Sequence, residues 1–442
     1  MGAVQFGFPE FRLIGPPEIS ILESEDGRYL KYLVKAARPP VCCPECGLVG
    51  PFGSNGNAPK RIIKDLPMGD KMVIYELYGK RYQCECGKTF GDTFDSIVDS
   101  QMTNRLRDKL VDRVLRRDTF KKIAADYGVA DQTVKRAFDE WAAKHEWQLR
   151  YETPIVIGID EAHIDHHYRL IVVDIVKKIP IDFLKNNWTS TVTNYLKALP
   201  HKENVLAVTM DFKADYAKSV KEAFHSLEYK PLVIIDHYHV IQDLNKKLDA
   251  IRKRVQTSLG EPTDEELEEY WWLYSEENED YNDDGKHKKT LKKEKKLFLT
   301  NVEDLDENEM ERLLFWMRRD ERLKKAFDLK EKFRDIYRRK LDYKKSEAWF
   351  DSWCGSIPKS LPELVSVAKY FQSRKEHILN YFLLDETNAY AEYTARNLKD
   401  VERSGRGYDF DRLKQIVLLS ARNPRPKKSN PKDVVYIPSY RY

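Results

Sequence analysis

No apolar run in this 442-residue sequence approaches the roughly 18 residues that cross a bilayer, so no membrane-spanning helix is expected. The stretch from Met1 to Phe11 lacks the basic-then-apolar layout of a secretory signal, and a cytoplasmic location is the expectation. Cysteine is scarce, with six in the whole chain, which excludes a disulfide scaffold. Charge of one sign is also lacking: 76 Lys and Arg stand against 72 Asp and Glu, a net charge of +4. That balance alone does not announce a nucleic-acid partner. The length leaves room for about two to four domains.

What the chain does have is three apolar runs that each stop on an acid. Ile155 to Ile159, rich in β-branched residues, suits a strand buried on both faces and ends on Asp160, with Glu161 and His163 close behind. Asn204 to Met210 ends on Asp211, and Tyr216, Val220, Ala223 and Phe224 then recur at helical spacing. Pro231 to Ile235 ends on Asp236, with His239 three residues on. A further strand is expected from Tyr168 to Val176, and a third near Trp188–Val192. The resulting order of strands and helices is that of an RNase H-like mixed sheet, in which acids at neighbouring strand ends converge. Convergent carboxylates repel, and a divalent cation with oxygen ligands relieves them. One acid alone would more often cap a turn; it is the repetition that argues for a site. Asp236 could replace Asp211 as the second ligand.

Residues 1–100 hold five of the six cysteines. Cys43 and Cys46, then Cys84 and Cys86, form two close pairs, each followed by glycine, that can place four thiolates around one tetrahedral zinc ion as in a zinc ribbon. Cys42 is an alternative to Cys43, or a buried neighbour. Residues 101–150 turn helical, and Thr119 to Trp141 reads as a helix-turn-helix: Ala124 at the helix crossing, Gly128 at the turn, Val129 and Val134 in the packing, Asp131 as a cap for the second helix. Gln132, Thr133, Lys135 and Arg136 then face a DNA major groove. An ordinary helical hairpin is the plainer alternative. Basic residues from Arg105 to Lys122 favour DNA through phosphate neutralisation.

Residues 151–242 carry the three acid-ended strands, and 243–383 read as a charged helical insertion. Its apolar positions from Leu313 to Tyr337 and from Leu364 to Phe382 recur at helical spacing. Trp271, Trp272, Trp316, Trp349 and Trp353 make it aromatic, mostly as core, and Cys354 reads as a small buried side chain. An acidic stretch, 276–284, precedes a basic one, 286–296, and together they read as a surface loop. Residues 384–420 form final helices, on which Asn388, Glu392, Arg396, Lys399 and Arg403 share one polar face, with Gly405 and Gly407 ending the first helix. An acid among cations suits a metal ligand flanked by phosphate contacts; a row of salt bridges explains the same pattern. Residues 421–442, proline-rich and basic, read as a tail. The fold class is thus multidomain α+β/α/β: an N-terminal zinc ribbon, a helix-turn-helix and an RNase H-like mixed sheet interrupted by a large helical insertion.

In this order the residues resemble the ISL3 family of bacterial DDE transposases of insertion sequences. The likeness runs through the cysteine ribbon, the Arg61 to Pro67 stretch, the helix-turn-helix, Gly158 to Glu161, Met210-Asp211, Asp236 to Val240, Leu323 to Tyr337, and the ending from Asn388 through Glu392 to Tyr408. The resemblance implies that Asp160, Asp211 and Glu392 are the metal-binding triad, with Asp236 and His239 in support. It implies two Mg²⁺ or Mn²⁺ ions per active site, a structural Zn²⁺, and double-stranded DNA, both transposon ends and target, as partner. A homodimer assembled on DNA and association with the bacterial nucleoid also follow from it. The family usually carries two asparagines three and four residues after the glutamate; here Ala395 and Arg396 stand there, and Asn397 and Lys399 are the nearest substitutes. A non-catalytic DNA-binding descendant of a transposase and an RNase H-like nuclease of another type stay open as rival readings.

Overall fold

A computed structural model describes residues 8–14, 21–24, 27–98, 101–212, 214–259, 263, 265–266, 291, 294–384, 386–405 and 408–424. Trp271, Trp272, the acidic stretch 276–284, most of the basic stretch 286–296, Gly407 and the tail beyond residue 424 lie outside them. The chain divides into two compact units, Met1–Tyr151 with Asn397–Tyr442, and Glu152–Arg396.

In the first unit, strands Phe11–Leu13 (β1), Ile21–Ser24 (β2), Gly27–Ala36 (β3), Arg61–Met68 (β5), Lys71–Leu77 (β6), Ile97–Val98 (β9) and Met102–Thr103 (β10) make a seven-stranded sheet. Strands Gly53–Asn57 (β4), Lys80–Gln83 (β7) and Thr89–Gly91 (β8) make a separate three-stranded sheet. Phe8, Phe11, Val34, Ile63, Val73, Tyr75 and Leu77 form a core on the larger one. Three helices follow: Asn104–Leu115 (α1), Phe120–Tyr127 (α2) and Asp131–Lys144 (α3). Thr103 caps α1 and Thr119 caps α2, each accepting a backbone N–H three residues on. Gly128 ends α2 at φ 58°, a left-handed position that suits glycine. Leu106, Leu110, Ile123, Ala124, Val134 and Phe138 pack together as the buried stripes of the three helices. The cap expected at Asp131 falls one residue earlier. Ala130 is the N-cap of α3 and offers no side-chain bond, and Asp131 lies inside the first turn, where its negative charge still suits the helix dipole.

Asp65 ties the larger sheet to α1. Fully buried on β5, it accepts from Thr103 Oγ1 at 2.6 Å, Tyr75 Oη at 3.0 Å and Arg105 Nε at 2.8 Å.

The second unit is built on a five-stranded sheet. Val156–Ile164 (β11), His167–Asp174 (β12) and Ile179–Leu184 (β13) run antiparallel, and Ala207–Met210 (β14) and Leu232–Ile235 (β15) add parallel to β11, in the spatial order β13-β12-β11-β14-β15. The third strand is therefore residues 179–184, not 188–192. Pro180, Ile181 and Phe183 are buried there, and proline is tolerated because β13 is an edge strand. Trp188 instead precedes helix Thr189–Lys197 (α4). Strand β11 also outlasts its apolar run: Asp160 to Ile164 continue as a hairpin with β12, while pairing to β14 stops at Gly158. Helix Ala214–Ala223 (α5) buries Tyr216, Val220 and Ala223, with Phe224 just beyond it.

The helical block comprises His237–Leu259 (α6), Lys295–Leu299 (α7), Glu307–Arg319 (α8), Glu321–Arg338 (α9), Tyr343–Ser356 (α10), Pro362–Gln372 (α11), Lys375–Leu379 (α12) and Tyr381–Leu384 (α13). Trp316, Phe333, Trp353 and Phe371 are at its centre, and Trp349 packs at its margin, so these aromatics are core. Trp349 and Trp353 donate their indole N–H to the carbonyls of Lys332 and Leu329. Cys354 is half-buried, and burial pushes its thiol up to about 11. Helix Ala389–Ser404 (α14) begins in the second unit and ends in the first. Phe410–Arg422 (α15) then packs on α1, with Arg412 bidentate to Asp139 at 2.9 Å and Ser420 Oγ bonded to Leu115 O at 2.7 Å.

Candidate active site and metal centre

Strand register aligns the three aspartates. Gly158 pairs with Thr209 and Met210 with Ile235, so carrying the register on sets Asp160, Asp211 and Asp236 in one row across three adjacent strands. Asp160 and Asp211 lie two residues beyond Gly158 and Thr209 and so share their face. Helix α14 comes to that same face. Its leading residue, Asn388, is buried against Gly158, where an added Cβ would come within 2.9 Å of Asn388 Oδ1. Glu392 follows one helical turn later on the same side of the helix, which brings it toward Asp160 and Asp211.

The electrostatics agree with this convergence. Burial, and then the charges of Asp211 and Glu392, push the Asp160 carboxyl up to about 6, against the opposing pull of the Glu161 N–H and His239. The Glu161 N–H donates to Asp160 Oδ1 at 2.7 Å. His239, on the first turn of α6, has its Nε2 3.3 Å from Glu392 Oε1. The Glu392 carboxylate raises His239 above the usual imidazole range despite burial, with Asp211 and Asp236 adding to it, and His239 in turn lowers Glu392. The contact falls short of a hydrogen bond, and both buried atoms lack any other hydrogen-bond partner. They are available to another ligand.

Asp236 differs from its neighbours. It is 1% exposed, and its oxygens take the Asn388 N–H at 2.6 Å and the Tyr238 N–H at 2.8 Å. Phe212, next to Asp211, stacks on Phe371 with centroids 5.5 Å apart and accepts from Tyr370 Oη at 3.3 Å, so the helical block fixes the loop that carries Asp211. Glu161 accepts from Asn187 Nδ2 at 2.9 Å and from Tyr216 Oη. Sequence reasoning missed this Asn187–Tyr216 brace, which no local pattern signals. It also set Asn388 on the polar face of α14, whereas the residue is fully buried. Of the rest of that face, Arg396 and Arg403 are exposed and Lys399 is half-buried; Arg396 pairs with Glu392 at 3.5 Å.

In the first unit, Cys43, Cys46, Cys84 and Cys86 have all their Sγ atoms within 4.8 Å of one another. Among the described residues they are the only ligand set so tight; the three acids are looser. Gly47 and Gly87 take φ of 74° and 91°, folding each cysteine pair into a turn, and this explains the glycine after each pair. Cys42 is exposed and lies outside the cluster, so it is neither a ligand to this set nor a buried neighbour. On the helix-turn-helix, Gln132 and Arg136 are exposed and Thr133 and Lys135 half-buried. Thr133 borders a cleft of about 500 Å³ that Arg61 and Lys64 also line.

Among the described residues no helix is long and apolar enough to cross a membrane. No curated protein is similar enough to the chain to serve as a relative. Residues 157–417, more than half of the chain, match the family model for the ISL3 DDE domain, described as Transposase. Residues 99–142 match the helix-turn-helix domain of transposase family ISL3. The acid row and the helix-turn-helix both fall inside these matches, and the chain belongs to the ISL3 transposase family.

Proposed function

We propose that the chain binds the terminal inverted repeats of an insertion sequence through its helix-turn-helix and cleaves and joins DNA strands at Asp160, Asp211 and Glu392. The observation that supports this reading is that burial, and then the charges of Asp211 and Glu392, hold the half-buried Asp160 carboxyl up to about 6, as three neighbouring carboxylates would. The donor set is all oxygen, and Glu392 Oε1 is buried without a hydrogen bond, which fits a hard divalent cation. Two Mg²⁺ or Mn²⁺ ions there would activate the attacking oxygen and neutralise the leaving one in an in-line displacement at phosphorus. Asp160 presents its carboxylate from a rigid central strand. Phe212 fixes the Asp211 loop against the helical block. His239, 3.3 Å from Glu392 Oε1, holds that carboxylate in place, and the exposed Arg396 would meet a phosphate. Asp236, whose oxygens take the Asn388 and Tyr238 N–H groups, anchors the start of α14 in a supporting role.

The same reading takes the five-stranded sheet as RNase H-like, the four-cysteine module as a zinc ribbon, and residues 243–383 as an insertion that shapes a DNA channel. Joining two transposon ends calls for two copies of the chain, hence a homodimer on DNA. The test is metal-dependent cleavage of terminal-repeat DNA by wild type and by Asp160→Asn, Asp211→Asn and Glu392→Gln. Each variant should keep end binding and lose cleavage. Retained cleavage removes that residue from the triad; an inert wild type favours the non-catalytic descendant.

A further inference from the structure

We propose that Asn388 is the positioning residue that sets the spacing of the three acids. The inference rests on reading Asp160, Asp211 and Glu392 as the metal-binding set. Asn388 is fully buried, and each of its polar groups is committed to a segment that carries one of the site's acids. Its Nδ2 donates to Ile159 O at 2.9 Å, the carbonyl immediately before Asp160. Its Oδ1 accepts from Thr209 Oγ1 at 2.9 Å, two residues before Asp211. Its backbone N–H donates to Asp236 Oδ2 at 2.6 Å, and its carbonyl accepts the Glu392 N–H at 3.2 Å. One residue thus ties β11 and β14 through its side chain, and the first turn of α14 through its backbone, one layer beneath the acids.

The neighbours are cut to fit it. Gly158 leaves the space in which the Asn388 amide lies; a Cβ there would also meet Ile175 and Val173 at 2.6 and 2.7 Å. Thr209 supplies a hydroxyl where a fully buried strand would ordinarily carry an aliphatic residue. Asn388 and Glu392 are four residues apart on one helix face, so the seat of the first fixes the reach of the second. Partners of this kind orient ligands, and their loss typically weakens metal affinity by roughly 10–100-fold.

The experiment uses the full chain and reads Mn²⁺ binding by electron paramagnetic resonance, affinity for terminal-repeat DNA, and cleavage rate. Asn388→Ala should weaken Mn²⁺ binding by roughly 10–100-fold, leave DNA-end affinity unchanged, and recover part of its cleavage at high Mn²⁺. Thr209→Val, which keeps the shape and removes only the hydroxyl, should weaken Mn²⁺ binding by about threefold or more, and it decides the matter if the alanine variant does not fold. Wild-type Mn²⁺ affinity in either folded variant overturns the inference. An Asp160→Asn control separates the two levels: if it binds Mn²⁺ as wild type does, the reading of the acids is itself wrong and the role of Asn388 falls with it.

Discussion

Replacing Asp160 by Asn should stabilise the metal-free protein at the same time as it abolishes cleavage. Burial, then Asp211 and Glu392, raise this carboxyl from 3.8 to about 6. A folded-state pKa above the unfolded one means that folding takes up a proton. Well below pH 3.8 both states are protonated and the residue contributes nothing; the penalty on the folded state grows as the pH climbs from 3.8 to about 6 and is complete above that. About two pH units at roughly 1.4 kcal/mol each set a ceiling of about 3 kcal/mol near neutrality. Solvent on the open side of the half-buried carboxylate reduces that to ~1–2 kcal/mol. Asparagine keeps the shape and the acceptor that receives the Glu161 N–H at 2.7 Å, and it carries no charge. At about 2–4 °C per kcal/mol for a unit of this size, its calorimetric transition in EDTA at pH 7.5 should rise by about 2–8 °C. At pH 5 the gain should fall to about half, because the wild-type carboxyl is by then mostly protonated. An unchanged or lower transition at pH 7.5, or a gain that grows on acidification, refutes the reasoning.

Asp65→Ala strands the Thr103, Tyr75 and Arg105 donors and should cost about 2–4 kcal/mol in denaturant unfolding. Against burial, Arg105 and Thr103 hold the Asp65 carboxyl below its usual value, so its contribution is present above pH 3.8 and is lost on acidification below it; a variant deficit as large at pH 2 as at pH 7 would argue otherwise. Wild-type protein should carry one zinc ion per chain by metal analysis, and Cys46→Ser should lose it together with the cooperative unfolding of its module; zinc-free wild type counts against the ribbon. Arg136→Ala should weaken binding to terminal-repeat DNA in anisotropy titrations and reduce the slope of log K against log salt by about one, and an unchanged slope would take Arg136 off the DNA.

The acid-ended strands and the helix-turn-helix could be read in the sequence because each is a local pattern: an apolar run with a charged stop, or a helical stripe broken by one glycine. The cysteine pairs were readable for the same reason, since Gly47 and Gly87 mark their turns. What escaped is whatever depends on partners distant in the chain. The true third strand, 179–184, hid behind Pro180, which only an edge position excuses. Asn388 looked like one more polar residue on a charged helix face, because nothing near it announces that Gly158 and Thr209 have been shaped to receive it. The choice between Asp211 and Asp236 was open in the sequence, where both end apolar strands. No local pattern in the sequence announces that the Asn388 and Tyr238 N–H groups reach the Asp236 oxygens.

The packing of α15 on α1 has a consequence for synthesis. The helix that completes the three-helix bundle begins at Phe410, long after the bundle has left the ribosome, and it attaches through Arg412 to Asp139 and through Ser420 to Leu115. Until then one side of α1 has no cover. A chain interrupted before that helix would carry its helix-turn-helix on an unfinished scaffold, so fragments cut short by translation or proteolysis would compete poorly with whole copies for the same DNA.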